Sequence, residues 1–444
     1  MLSVLANRTY RHLFAAQVIA LVGTGLATVA LGLLAYEIAG ADAGAVLGTA
    51  LAIKMVAYIG VAPVVGAYAD RLPRKTLLVA MDMVRAGVAL VLPFVEAVWQ
   101  VYLLIFLLQS ASAAFTPTFQ ATIPDILPDE AEYTNALSLS RLAYDLESLL
   151  SPMLAAALLT VIGFHWLFAG TSVGFAISGL LVVTSALPHR AAAARVVEGV
   201  WRKTTRGMRI YLQTPRLVGL LAVTLAAAAG SAMVIVNTVV IVKSMGGSQQ
   251  DVALALAAYG GGSMLAALSL PRILLRTADR TVMLAGAAVL ATGLAGLGLA
   301  AWRGDGLVGW STLLAGWVVL GAAYALCVTP GGRLLRRSAD DADRPALFAA
   351  QFALSHVCWL VAYPLAGQVG ARIGMAAAFL LLAALAAIGL VAGLRIWPRA
   401  DPDTLGHRHP DLADDHPHLA EHGRTAHRHR VVIDDLHPRW PRRD

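Results

Sequence analysis

Seven ionisable residues interrupt the long apolar runs of this chain. They are Lys54, Asp82, Arg85, Arg141, Asp145, Glu147 and His356. At the centre of a bilayer an ionisable side chain costs on the order of 2.5–3.5 kcal/mol by insertion scales, so such residues usually face a helix bundle interior and mark an ion or substrate path. The sequence therefore predicts a transport pathway, provided that these runs span a membrane.

The spacing of the charged residues separates Glu147 from the others. Asp82 and Arg85 are three residues apart and Arg141 and Asp145 are four apart, so each pair can neutralise itself on one helical face. Glu147 lies about 200° around the helix from Asp145 and has no base three or four residues away. We predict that Glu147, with Asp145, carries a coupling proton or part of a cation site. The self-neutralising pairs are either transport residues or structural ion pairs.

A second group of possible ligands lies further along the chain. His356 and Cys358, with Cys327 in the preceding apolar run, are residue types that bind divalent transition metals. Positions 356 and 358 fall on different faces of a helix. Because buried cysteine usually acts as a small hydrophobe, we retain His356 as the transport candidate of this group.

The elements that carry these residues are apolar enough to be membrane helices. Hydrophobic residues make up 58% of the chain and charged residues 14%, with a mean hydropathy of +0.69, whereas about 25% of residues are charged in soluble proteins. A spanning helix takes about 20 apolar residues. We therefore predict an all-α integral membrane protein with twelve spans, near residues 12–36, 46–69, 76–97, 100–122, 134–161, 165–187, 216–242, 250–270, 282–301, 311–330, 346–370 and 374–396.

The basic residues predict the orientation of the spans. With the N-terminus inside, 19 Lys and Arg residues fall in cytoplasmic segments and 3 in external loops, as the positive-inside rule requires. Both termini are thus predicted to be cytoplasmic, in a bacterial inner membrane. The net charge of +7 reflects this topology and indicates no nucleic-acid partner. The chain carries no phosphate-binding loop and no recognisable catalytic motif, so we expect no enzyme.

Changes in composition divide the chain into four parts. A basic stretch at 188–215 separates an N-terminal six-helix half, 1–187, from a C-terminal six-helix half, 216–396. The stretch is interpreted as a cytoplasmic linker. Residues 397–444 are charged and rich in His and Pro, and they have too few apolar residues to offset the entropy of ordering. We predict a disordered cytoplasmic tail there.

The tail holds most of the histidines of the chain. Eight of the twelve are His407, His409, His416, His418, His422, His427, His429 and His437. Neutral imidazole is the commonest protein ligand for zinc, copper and nickel, and a flexible segment can fold around a cation. The interleaved arginines favour weak, exchangeable binding. The tail is therefore predicted to bind a divalent metal, with compositional drift as the alternative.

The loop between the second and third predicted spans carries a recognisable motif. Its defined positions are Gly66, Asp70, Arg71, Arg74 and Lys75. They resemble the G-x-x-x-D-R-x-x-R-K signature of the major facilitator superfamily at every defined position. That resemblance implies two six-helix halves around a central cavity, and a cytoplasmic latch at this loop. Segment 271–280, at the corresponding place in the second half, matches this signature only in part, which argues against a symmetrical latch.

Two further features resemble exporters of that superfamily. Residues 135–152 are similar to a fifth-span segment of its exporter branches, with Ser151 where glycine is usual. With the histidine-rich tail, the chain resembles nickel-resistance exporters of the NreB type. This implies a monomer without a resident cofactor that exports Ni²⁺, with Co²⁺ or Zn²⁺ as alternatives, by proton antiport. An exporter of an organic molecule, such as a drug or siderophore, and a metal-buffering tail on a transporter-like scaffold remain open.

Overall fold

The protein is a bundle of long helices followed by a short two-stranded ribbon. The structure, a computed structural model, describes residues 2–68, 73–187, 200–303, 309–340, 343–401, 404–408 and 426–433, with 437 and 440. Its helices are α1 (Arg8–Ala39), α2 (Ala43–Tyr68), α3 (Arg74–Val91), α4 (Val98–Ile126), α5 (Glu130–Leu159), α6 (His165–Thr184), α7 (Val200–Gln213), α8 (Pro215–Ser244), α9 (Gln249–Leu274), α10 (Asp279–Arg303), α11 (Trp310–Val328), α12 (Gly331–Arg337), α13 (Arg344–Arg372) and α14 (Met375–Ile396). The strands are β1 (Thr404–Arg408) and β2 (Ala426–Arg430).

The long helices confirm the predicted all-α membrane architecture. Every predicted span coincides with one of them, and only α7 and α12 are additional. Within the described residues, ten segments are long and apolar enough to cross a bilayer, the first of which, Arg8–Val61, includes α1 and most of α2. Polar residues set helix starts: Asn7 accepts a hydrogen bond from the Tyr10 amide, and Asp129 accepts one from the Glu132 amide. Such caps satisfy amides that lack a partner within the helix.

The helices pack as two groups that correspond to the two predicted halves. In the first group α1 packs on α5 and α6, while α3 packs on α4 and α6. In the second, α14 packs on α8 and α10, and α11 packs on α9 and α10. The groups meet through α2 against α13 and α5 against α9. The two halves therefore meet along these four helices.

The two ends of the bundle differ in charge and in closure. We call the end with Arg8, Arg74, Arg216 and Arg280, where α1, α3, α8 and α10 begin, the basic face. At the opposite face the halves touch directly. The Gln368 side chain donates to Thr49 Oγ1 at 3.3 Å, and the Gln250 side chain donates to the Leu159 carbonyl at 3.1 Å. These contacts close the bundle at the opposite face.

Glycines allow α2 and α13 to approach closely at the opposite face. A Cβ atom on Gly367 would collide with the carbonyl oxygen of Gly44, and one on Gly48 would lie 2.5 Å from the carbonyl oxygen of Tyr363. Small residues at membrane-helix contacts permit this backbone-to-backbone packing. The opposite face is therefore closed by a crossing that tolerates no additional side-chain atom without a shift of one helix.

The predicted linker contains a helix that the hydropathy pattern does not reveal. Helix α7 is anchored on the start of α13, where the Arg206 guanidinium pairs with Asp343 at 2.8 Å. Gly207 lies against the Ala346 backbone, and the Tyr211 hydroxyl donates to Gln351. The linker is therefore attached to the C-terminal half along its own helical part.

The tail is ordered where the sequence predicts disorder. Strands β1 and β2 pair antiparallel, and the apolar residues of segment 431–433 are buried with Trp397 in the main core. Burial of this apolar surface offsets the entropy of ordering. The expectation of a disordered tail is therefore wrong for these segments, while residues 409–425 lie outside the described part.

Polar contacts also fasten the tail to the C-terminal half. Arg216, which is buried at the start of α8, lies 3.6 Å from the Asp401 carboxylate and 5.0 Å from the centre of the Trp440 ring. Asp401 also pairs with Arg337 at 3.3 Å. The tail is thus part of the basic face of the C-terminal half.

Candidate substrate site between the two halves

A lysine and a glutamate from different helices approach each other near mid-height of the bundle. Lys54 is 11 residues into α2 and Glu147 is 12 residues from the end of α5. At 1.5 Å per residue both lie about 17 Å from the opposite face, which is mid-depth of a roughly 30 Å hydrocarbon core. The two groups attract each other electrostatically. No base lies three or four residues from Glu147, as its spacing indicates, and the basic neighbour comes from another helix.

The carboxylate of Glu147 lies against a glycine of α1. A Cβ atom on Gly25 would lie 2.6 Å from Glu147 Oε1 and would collide with the Ser151 hydroxyl. Ser151 is one turn after Glu147, beside the carboxylate. The serine that replaces the usual glycine of the exporter segment thus contributes a polar group to this site.

Aromatic rings lie one helical turn from the charged pair, toward the basic face. The Tyr58 ring lies 6.0 Å from the Lys54 ammonium. It stacks on His356 with ring centres 5.3 Å apart and lies 5.8 Å from the Phe352 ring. His356 Nδ1 is 2.6 Å from the Phe352 carbonyl oxygen, so Nδ1 donates and Nε2 of the neutral imidazole is an acceptor. The C-terminal half therefore reaches the charged pair through His356.

The site can hold charge and an apolar body at the same time. Lys54, Glu147 and His356 are each half-buried, so part of the surface of each residue is not covered by other protein atoms. Opposite charges in a low-dielectric interior attract strongly, and aromatic rings offer broad apolar contact. This combination suits an organic ligand with polar groups.

Asp82 and Arg85 form an enclosed ion pair, as their spacing allows. Their side chains are buried and paired, and the Ser178 hydroxyl donates to Asp82 Oδ2 at 2.8 Å. The Arg85 guanidinium lies 4.2 Å and 4.5 Å from the ring centres of Phe115 and Phe175. These contacts are all within the N-terminal half, so the geometry favours a structural role for this pair over a place on the pathway.

Several predicted residues fall outside the described part. The side chains of Arg141 and Asp145 are among them, as are Asp70 and Arg71 of the signature loop. Of that loop, Gly66 lies in the last turns of α2, and Arg74 pairs with Asp125 at the end of α4. Lys75 donates to the Ser185 carbonyl at 3.0 Å. Arg74 and Lys75 thus connect α3 to the ends of α4 and α6 on the basic face.

The C-terminal half has a corresponding set of ion pairs with the charges exchanged. Asp279, at the start of α10, lies 3.5 Å from Arg333 and 3.6 Å from Arg337. In the N-terminal half, the arginine is at the start of α3 and the carboxylate follows along α4. The two halves therefore place ion pairs at corresponding helix ends although the order of residue types differs, and the prediction of an asymmetrical latch stays a prediction.

The tail histidines are only partly described. The register pairs His407 with His427 and Leu405 with His429, so these four positions share one face of the ribbon. The His429 ring lies 5.1 Å from the ring of His437. His409, His416, His418 and His422 lie outside the described residues. The side chains of His407 and His427 also lie outside the described residues, so the contact described between tail histidines is that of His429 with His437.

The cysteines do not form a metal site with His356. Cys327 Sγ contacts the Met283 carbonyl oxygen at 3.6 Å, and Cys358 Sγ contacts the Leu354 carbonyl oxygen at 3.7 Å. In the part of the chain that the structure describes, no three His, Cys, Asp or Glu side chains are grouped as a metal site. The suggestion of a ligand set around His356 is not supported by this geometry.

Comparison with known proteins identifies the family. The sequence pattern of the Major Facilitator Superfamily matches residues 13–308 and, a second time, 219–433. The chain belongs to the major facilitator superfamily. It is a multi-pass membrane protein with a secondary transporter fold, and proteins of this superfamily are generally not enzymes.

Relatives of this superfamily member include known efflux proteins. It is 24% identical to the uncharacterized MFS-type transporter YfiS of Bacillus subtilis over 74% of this chain and 79% of that protein. It is 25% identical to macrolide efflux protein A of Streptococcus pyogenes over 40% of this chain and 46% of that protein. The fold is similar to that of the nucleoside transporter NupG, with a TM-score of 0.66, 14% identity and coverage of 88% and 100% of the two chains. It also resembles a bacterial homolog of the lysosomal transporter Spinster in an inward-facing, unoccupied conformation, with a TM-score of 0.65, 12% identity and coverage of 88% and 98%.

Proposed function

We propose that this transporter exports organic molecules from the cytoplasm across the bacterial inner membrane, driven by proton entry. The observation that carries the proposal is that Lys54 and Glu147 lie at the same mid-depth and attract each other, with Tyr58, Phe352 and His356 one turn away. The similarity to a macrolide efflux protein supports the direction of transport and the organic substrate.

The charge of the site argues against a bare metal ion as cargo. A divalent cation about 6 Å from an ammonium group is repelled by roughly 5 kcal/mol at an effective dielectric constant of about 20. Lys54 imposes this repulsion at the one site where Glu147 would attract the ion. An organic molecule can avoid it by placing its own polar groups toward each charge.

The proposed cycle starts from the closure of the opposite face. We place the basic face in the cytoplasm, following the distribution of Lys and Arg. With the Gly44–Gly367 crossing closed, substrate enters from the cytoplasm and reaches Lys54 and Glu147. Opening of the crossing releases substrate outside. A proton then binds Glu147 from that side and is carried inward when the transporter returns to the state that is open to the cytoplasm.

The test is a tolerance and accumulation assay in bacteria that lack their own exporters. Cells that express the full chain are challenged with a macrolide, a cationic dye, and salts of nickel, cobalt and zinc. We expect lower accumulation of at least one organic compound, abolished by collapse of the proton gradient and by Glu147→Gln. Glu96→Gln, at an exposed glutamate in the α3–α4 connection, serves as the matched control. Protection against metal salts alone would contradict the proposal.

Nickel export remains a second candidate because of the tail. The ribbon register places His407 opposite His427 and brings His429 onto the same face, and His429 contacts His437. Imidazole is a common ligand for divalent ions such as Ni²⁺, Co²⁺ or Zn²⁺. In this version the tail collects the ion before translocation.

Replacement of the tail histidines separates the two candidates. The full chain with His407, His427, His429 and His437 changed to Ala is compared with the unchanged protein in the same cells. If nickel is the cargo, tolerance to nickel falls while the fold is retained. If organic molecules are the cargo, their accumulation is unaffected by the four changes.

A further inference from the structure

We propose that the exported molecules are zwitterions: an anionic group of the substrate binds Lys54, a cationic group binds Glu147, and an apolar body lies on Tyr58 and Phe352. This inference rests on the proposed export of organic molecules and specifies their class. It follows from how the two charges are arranged relative to each other and to the rings.

The two charges share one depth but belong to different walls of the site. Lys54 is on α2, which borders α13, and Glu147 is on α5, which borders α9. They attract each other electrostatically without forming a direct ion pair among the described contacts. Each is also half-buried. The arrangement leaves two opposite charges at one depth on different helices.

A ligand with both charges is the one that keeps every charge compensated. A singly cationic ligand that binds Glu147 takes away the compensation of Lys54 and repels the ammonium. A singly anionic ligand that binds Lys54 does the same to Glu147. A charge without a compensating neighbour in a poorly solvated site is unfavourable. A zwitterion supplies a counter-charge to each side and aligns its dipole with the pair.

The rings determine where the apolar part of the ligand lies. Tyr58 is one helical turn after Lys54, with its ring 6.0 Å from the ammonium. Phe352, from the other half, lies 5.8 Å from that ring and is 39% exposed. An exposed phenylalanine beside a charged pair gives a flat apolar surface next to the anion-binding end. An aromatic acid that also carries an amine fits this order of groups.

A matched set of three compounds provides the test in liposomes that contain the full chain. Ciprofloxacin is zwitterionic at neutral pH, its methyl ester is a cation, and its N-acetyl derivative is an anion. We expect the apparent affinity for the zwitterion to exceed that for each derivative by about tenfold or more. In equilibrium binding to the same liposomes, which needs no transport, Lys54→Gln should remove the preference over the ester, and Glu147→Gln should remove the preference over the N-acetyl compound. The exchanged variant, Lys54→Glu with Glu147→Lys, should regain part of the preference over both.

Control variants and other outcomes keep this inference separate from the proposed function. Lys243→Gln changes a lysine at the end of α8 that donates to Gly247, and it should leave all three affinities unchanged. Size-exclusion profiles in detergent report whether each variant is folded. Equal transport of the three compounds, or transport of a macrolide but not of ciprofloxacin, would overturn the zwitterion inference while organic export stands. A lack of transport for every organic compound would overturn both.

Discussion

The imidazole of His356 stacks on the phenol ring of Tyr58, with the ring centres 5.3 Å apart and the planes 15° from parallel. Tyr58 belongs to the N-terminal half and His356 to the C-terminal half. Both lie about 22–24 Å from the opposite face, which is about one helical turn from Lys54 and Glu147 toward the basic face. The contact therefore connects the two halves directly beside the substrate site.

Loss of this stack should change the balance between conformations. An aromatic pair contributes about 0.5–1.5 kcal/mol beyond its burial, which corresponds to a roughly two- to tenfold shift in an equilibrium. We expect His356→Ala to reduce the transport rate by that factor and His356→Phe to retain most of it. Initial rates in liposomes measure the effect. A rate for His356→Phe as low as that for His356→Ala would indicate a polar role for Nε2 in place of stacking.

A methyl group at the glycine crossing should disfavour closure of the opposite face. Gly367→Ala places a Cβ atom on the Gly44 carbonyl oxygen, and overpacking of this kind costs about 1–3 kcal/mol. We expect a shift toward the state that is open at the opposite face. Labelling of a cysteine introduced near Thr49, in a chain without Cys327 and Cys358, reports the shift. Gly60→Ala is the matched control, because a Cβ atom there meets nothing within 4 Å.

The tight contact at Gly25 predicts a suppressible defect. Gly25→Ala should push against Ser151 and displace the Glu147 carboxylate, which weakens substrate binding. Ser151→Gly in the same chain should restore much of the affinity by making room. Gly23→Ala, whose Cβ atom would make ordinary contacts at 3.5 Å, should have little effect. Substrate binding to purified protein tests all three variants. If Ser151→Gly does not restore the affinity, the defect of Gly25→Ala does not come from its contact with Ser151.

The enclosed Asp82–Arg85 pair should affect stability more than transport. Asp82→Asn leaves the buried Arg85 guanidinium without its counter-charge, and breaking a buried pair costs about 3–5 kcal/mol. We expect a clearly lower unfolding temperature, partly recovered when Arg85→Leu is combined with Asp82→Leu. If the Asp82→Asn protein is stable but its transport no longer depends on the proton gradient, the pair is instead part of the pathway.

Truncation of the tail should destabilise the C-terminal half. A chain that ends at residue 400 lacks Asp401 and Trp440, the two contacts of the buried Arg216 described above, as well as the buried segment 431–433. We expect a lower melting temperature in detergent, whereas replacement of the four ribbon histidines by alanine should change it little. An unchanged melting temperature after truncation would mean that the tail contributes no packing energy.

The sequence by itself determined the class of protein and much of its framework. Hydropathy alone located the twelve long helices that correspond to predicted spans, because a bilayer requires long apolar segments with internally satisfied backbones. Charge distribution predicted the orientation, and the signature at Gly66–Lys75 indicated the superfamily. The pairing of Asp82 with Arg85 was also predictable, since residues three apart on one helix are neighbours.

Only the tertiary structure decided which distant residues meet. Lys54 and Glu147 are 93 positions apart, and Tyr58 and His356 are 298 apart, so no local spacing predicts their contact. The order of the tail depended on the same kind of information, because the surface that buries Val431 and Trp397 is built by other helices. Sequence periodicity reports the faces of one helix, whereas the site is formed by faces of several helices that are brought together by packing.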